Sequence, residues 1–78
     1  MTLEPLDVVV LNTDVTEHGL KRGDVGAVVN VQGPDAVDVE FVTAAGRTKA
    51  IVTLTPGDLR LVEDNDLLAV RPAIPSGR

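Results

Sequence analysis

Apolar residues along this chain recur in short runs, and polar turn-forming residues separate the runs. The clearest run is Val37-Asp38-Val39-Glu40-Phe41-Val42, which alternates with a period of two. That period sends Val37, Val39 and Phe41 to a core and Asp38 and Glu40 to water. Thr48 to Leu54 repeats the pattern, with Ala50, Val52 and Leu54 on one face and Lys49, Ile51 and Thr53 on the other. Asp7-Val8-Val9-Val10-Leu11-Asn12 is continuously apolar in its middle, as expected of a strand buried on both faces or lying where a barrel closes. Val25-Gly26-Ala27-Val28-Val29-Asn30-Val31 is a further strand. Period two puts Val25, Ala27, Val29 and Val31 on one face, and Gly26 signals a bulge, a bend or a close backbone approach. Leu59-Arg60-Leu61-Val62 is a short last strand. No window carries a helical repeat.

The punctuation fits this reading. Thr13 to Gly23 is a long first loop, Gln32-Gly33-Pro34-Asp35 a hairpin turn and Ala44-Ala45-Gly46 a second turn. Thr55-Pro56-Gly57-Asp58 reads as a tight turn or a single 3₁₀ turn. Five short strands with one long loop and tight later turns predict a small all-β, SH3-like barrel over residues 1–63. An OB-type barrel fits less well, because its strands are longer. Residues 64–78 form a C-terminal tail, flexible or docked, which opens in an acidic hinge, Glu63-Asp64-Asn65-Asp66.

Composition narrows the function. The chain has 78 residues, enough for one domain, and no cysteine to form a disulfide or ligate a metal. Scaling by length gives a stability on the order of 4–12 kcal/mol. The net charge of −5 repels phosphate-rich partners and attracts basic ones. Phe41 is the only aromatic residue, so neither a base-stacking surface nor an aromatic Pro-rich-peptide groove can be built. No apolar stretch is long enough to span a bilayer and the N-terminus has no signal-like core, so a cytoplasmic protein without a membrane is expected.

Catalytic chemistry is hard to assemble. Ser76 is the only serine, and tyrosine is missing, which removes the usual nucleophilic sites. His18, with Asp14, Glu17 and Asp24, could hold a metal weakly, but a solvated loop histidine is the simpler reading. Asp38 and Glu40 could serve as an acid–base pair, although a solvent face explains them better. No cofactor or metal is expected. Lys21, Arg22, Arg47, Lys49 and Arg60 could gather into a phosphate-positioning patch, and charge scattered for solubility is the simpler account. The tail residues Leu67, Leu68, Val70 and Ile74 are too apolar for a free solvated tail. They either dock on the barrel or meet a partner. Pro72-Ala73-Ile74-Pro75 formally matches PxxP, a pattern that arises often by chance.

The stretch Asp7-Val8-Val9-Val10-Leu11-Asn12-Thr13-Asp14, followed by Glu17-His18-Gly19-Leu20-Lys21-Arg22-Gly23-Asp24-Val25-Gly26-Ala27-Val28-Val29, resembles a family of small uncharacterised bacterial domains of unknown function. Val39-Glu40-Phe41 and the ending at Thr53-Leu54 and Leu59 also resemble it, so the likeness covers about residues 7–62. The resemblance implies an SH3-like barrel with no catalytic set. It also implies an association with a second small protein in paired systems of the toxin–antitoxin kind. Gly23-Asp24-Val25-Gly26 further resembles an element of ribosomal and transcription-factor SH3-like domains, where the neighbouring loop can touch RNA. Its physics is general: Gly23 permits a tight turn, Asp24 caps it through backbone N–H groups, and Gly26 lets the strand bend.

The expected function is therefore a non-enzymatic protein-binding or regulatory module, an antitoxin-like partner of a protein encoded beside it. Asp38, Glu40, Leu67, Leu68, Val70 and Ile74 are its candidate partner-binding residues. The alternative is an RNA- or ribosome-associated domain contacting RNA through Lys21 and Arg22. Self-association stays open.

Overall fold

The computed structural model describes residues 2–73. Five strands form one antiparallel sheet in the order β4-β3-β2-β1-β5. They are β1 (Val8–Leu11), β2 (Val25–Gly33), β3 (Ala36–Val42), β4 (Thr48–Leu54) and β5 (Leu59–Leu61). Short 3₁₀ turns cover Thr16–His18 and Pro56–Asp58, and no α-helix occurs among the described residues. The end strands β4 and β5 do not pair, so hydrogen bonds do not close the sheet into a barrel.

The all-β expectation holds, and the strand runs lie where the alternation put them. Val37, Val39 and Phe41 of β3 and Val52 and Leu54 of β4 are buried in one core with Ala50 packed against it. β1 lies between β2 and β5, and of its apolar run Val9, Val10 and Leu11 are buried while Val8 is exposed. Val9 and Leu11 enter the core, while Val10 is buried outside that cluster, on the opposite face.

β2 departs from simple alternation. Val25, Ala27, Val29 and Val31 do not share a face, because a bulge between Val28 and Asn30 inserts an extra residue. Ahead of the bulge Gly26 and Val28 are the buried positions, whereas Val25 and Val29 are exposed. Beyond it Val31 pairs with the core residue Val37. The bulge thus reverses which parity of β2 faces inward. Gly26 is a close approach: a Cβ there would stand 2.7 Å from Val39 Cγ1, 2.8 Å from Phe41 Cε1 and 2.9 Å from the Glu40 carbonyl oxygen.

The turns follow their residues. Pro34 and Asp35 join β2 to β3, and Gly46, at φ 84°, lies in the β3–β4 turn. The first loop is less open than its polar sequence suggests. Val15 and Leu20 form an isolated β-bridge and both enter the core, so the loop plugs one end of it.

Candidate functional site

Two aspartates, each paired with an arginine, organise the surface beside the tail. Asp24 follows Gly23, whose φ of 95° only glycine takes without strain. Its Oδ2 accepts the Lys21 N–H at 2.8 Å, and its own N–H donates to the Lys21 carbonyl at 3.0 Å. This is the capped turn that the Gly-Asp pair predicts. The same carboxylate has a second role. Arg71 donates from Nε to Asp24 Oδ1 at 2.9 Å and from Nη2 to Oδ2, while Nη2 also reaches the Gly19 carbonyl at 3.1 Å. Burial pushes the Asp24 carboxyl upward, but the Arg71 and Lys21 hydrogen bonds outweigh it and hold it below the usual carboxylate range. Arg71 is correspondingly raised by its bond to Asp24.

Asp66 closes the other end. Its Oδ2 accepts the Glu63 N–H at 2.7 Å, and the Asp66 N–H donates to the Glu63 carbonyl at 3.0 Å, so the acidic hinge is a tight turn. Arg60, on β5, forks onto Asp66 with bonds of 2.8 and 2.9 Å. The guanidinium and the Glu63 N–H lower the Asp66 carboxyl to about 2.

Leu67 to Val70 therefore form a short arch held at both ends by an arginine–aspartate fork. Its side chains face solvent: Leu67 is 96% exposed, Leu68 68% and Val70 98%. Beneath the arch lies a groove of about 460 Å³ bounded by Asp24, Phe41, Val42 and Lys49 and by Leu68 and Val70 of the tail. The tail docks through Arg71, and its leucines do not cover the sheet. Ile74 and Pro75 lie outside the described residues.

The remaining sequence-derived candidates are spread apart. Asp38 is on the outer face of β3, where Thr53 Oγ1, Gln32 Nε2 and Asn30 Nδ2 donate to it at 2.6, 2.8 and 3.2 Å. These bonds, Thr53's foremost, lower its carboxyl below the usual range. Glu40 accepts from Thr48 Oγ1 at 2.5 Å. Both acids thus tie neighbouring strands together. Lys21 and Arg22 are exposed in the first loop, while Arg60 and Arg71 are committed to carboxylates. Asp14 accepts the Arg22 N–H at 2.8 Å, and no group of three His, Asp or Glu side chains converges among the described residues.

Sequence reading did not single out Arg71 or the Arg60–Asp66 fork. The Glu63–Asp66 spacing carries a local turn signal, but Arg71 and Asp24 are 47 residues apart and no local pattern links them. No curated protein and no solved structure matches the chain. A family model does, over residues 5–61, which contain the whole sheet and the Gly23-Asp24 turn but not the arch. On that match the chain belongs to a family described as a domain of unknown function, DUF4926.

Proposed function

We propose that this protein is a non-enzymatic protein-binding module whose arch, Leu67–Val70, enters an apolar cleft on a partner. The observation that carries the reading is the pairing of high exposure with anchoring. Apolar side chains in water are costly, and two ion-pair forks hold these in one arrangement. Such preorganisation lowers the ordering cost of binding. Glu63 and Asp64 precede the arch and are exposed, which suits a partner whose cleft has a basic rim. Asp24, Asp38 and Glu40 accept hydrogen bonds from neighbouring residues, which supports a scaffold role for them over acid–base chemistry.

The architecture we assign is an SH3-like barrel left open between β4 and β5. Support comes from the core: Val52 and Leu54 of β4 and Leu59 of β5 belong to one cluster with Val9 of β1, which needs a strongly curled sheet. The partner we infer is a protein encoded beside this one, in an antitoxin-like pairing. Co-expression and pull-down of the neighbouring gene product tests it. Capture by the native chain and loss with Leu67→Ser/Leu68→Ser/Val70→Ser is expected. Undiminished capture by that variant removes the arch from the mechanism, and no capture by the native chain removes the pairing.

A further inference from the structure

We infer that Asp24 and the Gly19 carbonyl form a receptor for an arginine side chain, that Arg71 occupies it in the free chain, and that an arginine on the partner's basic rim takes its place. The identity of the partner rests on the function proposed above; the receptor does not. Its acceptors are fixed without help from the tail. Asp24 is held from both sides by Lys21, whose N–H it accepts and to whose carbonyl it donates. The Asp24 carbonyl accepts the Leu11 N–H at 2.9 Å, which ties the turn to β1. The Gly19 N–H donates to the Thr16 carbonyl at 3.0 Å and so fixes the end of the 3₁₀ turn. The Gly19 carbonyl and both Asp24 oxygens then converge on one guanidinium. A planar fork of donors satisfies all three, and a lysine ammonium lacks that geometry. The acceptors belong to the loop between β1 and β2, whereas Arg71 lies beyond β5.

The chain's own tail fits this receptor by its charge and leaves the apolar walls uncovered. Val25 and Val42 line the groove with Asp24, yet they stay 38% and 55% exposed, because Leu68 and Val70 turn to solvent. An arginine flanked by apolar side chains makes the same fork and also covers these valines, a gain Arg71 does not have. That gain is what displaces a tethered competitor, whose effective concentration is on the order of millimolar. Exchange also avoids the main cost of opening an ion pair. Asp24, partly buried, passes from one guanidinium to another and is not left unpaired, while Arg71 returns to water. The net charge of −5 draws a basic segment to the surface. The Arg60–Asp66 fork takes no part, so the arch keeps its first anchor.

A capped peptide with the chain's own residues 67–73, titrated into the full chain, tests the receptor. NMR follows the Asp24 and Gly19 amides and the Arg71 Nε–H. Arg71→Ala opens the receptor and is expected to bind the peptide at least about tenfold more tightly than the native chain, which has its own tail to release. A peptide with lysine in place of its arginine is equal in charge and is expected to bind Arg71→Ala at least about fivefold more weakly. Asp24→Asn keeps an oxygen for the Lys21 N–H, and combined with Arg71→Ala it is expected to lose binding. In the native chain the Arg71 Nε–H signal should move to its free position as peptide saturates. No binding to Arg71→Ala at millimolar peptide overturns the inference. So does equal binding of the lysine peptide, equal binding by the native chain, or undiminished binding by a folded Asp24→Asn/Arg71→Ala chain. None of these outcomes depends on the neighbouring gene product. Peptide binding beside a failed pull-down upholds the receptor and removes only that partner, whereas capture that leaves the Arg71 signal in place overturns the exchange.

Discussion

Glycine has two different jobs within four residues of this chain. Gly23 is needed for its backbone: at φ 95° nothing lies within 4 Å of an added Cβ, so the penalty of a side chain is conformational. Gly26 is needed for its missing side chain, because the obstructing atoms include the Glu40 carbonyl oxygen, which cannot rotate away. Gly23→Ala is expected to cost about 1–2 kcal/mol, with Gly23→Asn losing less. Gly26→Ala is expected to cost about 1–3 kcal/mol through overpacking, and Gly26→Val more. Urea unfolding followed by far-UV circular dichroism distinguishes them: side-chain size should matter strongly at Gly26 and backbone preference at Gly23. The motif Gly23-Asp24-Val25-Gly26 is thus a statement about shape, and Asp24 adds the one feature, its bond to Arg71, that reaches the tail.

At the level of elements, the arch depends on carboxylates whose folded-state values are depressed. A depressed acid contributes stability that is complete above its unfolded value and is lost as pH falls through the folded one. Asp66 titrates at about 2 in the folded chain, against about 3.9 for a free aspartate. Its contribution is therefore intact at neutral pH and disappears between about pH 4 and pH 2. Asp24, lowered in the same direction, releases Arg71 in the acid range as well. Protease cleavage between Leu67 and Val70 is expected to be constant from neutral pH to about pH 5 and to rise below about pH 4. An acid-active protease reads this directly. Arg71→Ala and Arg60→Ala should each raise the cleavage rate at neutral pH, and added salt should weaken both anchors, since they are partly exposed.

The described residues of the molecule separate into a core that ends with β5 and a tail segment, residues 64–73, that does not enter it. The buried cluster runs from Leu3 to Leu59. A chain ending at Val62 is expected to unfold cooperatively at a temperature close to that of the full chain, checked by calorimetry, and to lose capture of the partner. The first loop behaves in the opposite way. Leu20 is buried to 3% exposure although it sits among polar loop residues. Leu20→Ala should cost about 2–5 kcal/mol, as at a strand position. Against roughly 4–12 kcal/mol in total, that removes a large share of the stability.

The alternating runs of β3 and β4, the turn at Pro34-Asp35 and the core parity of Val37, Val39, Phe41, Val52 and Leu54 were legible in the residues alone, because period two and turn chemistry are local. The close approach at Gly26 was legible as one of three readings, and the structure chose among them through Val39, Phe41 and Glu40. The β2 bulge was not legible. An extra residue is defined only against the partner strand, and it put Val31 on the opposite face from Val25. The burial of Val15 and Leu20 depends likewise on an end of the core that strands far apart in sequence create. The tail divides in the same way. Its apolar character is written in Leu67, Leu68 and Val70. That it is an anchored arch follows from Arg71 meeting Asp24 across 47 residues, an encounter that only the folded chain arranges.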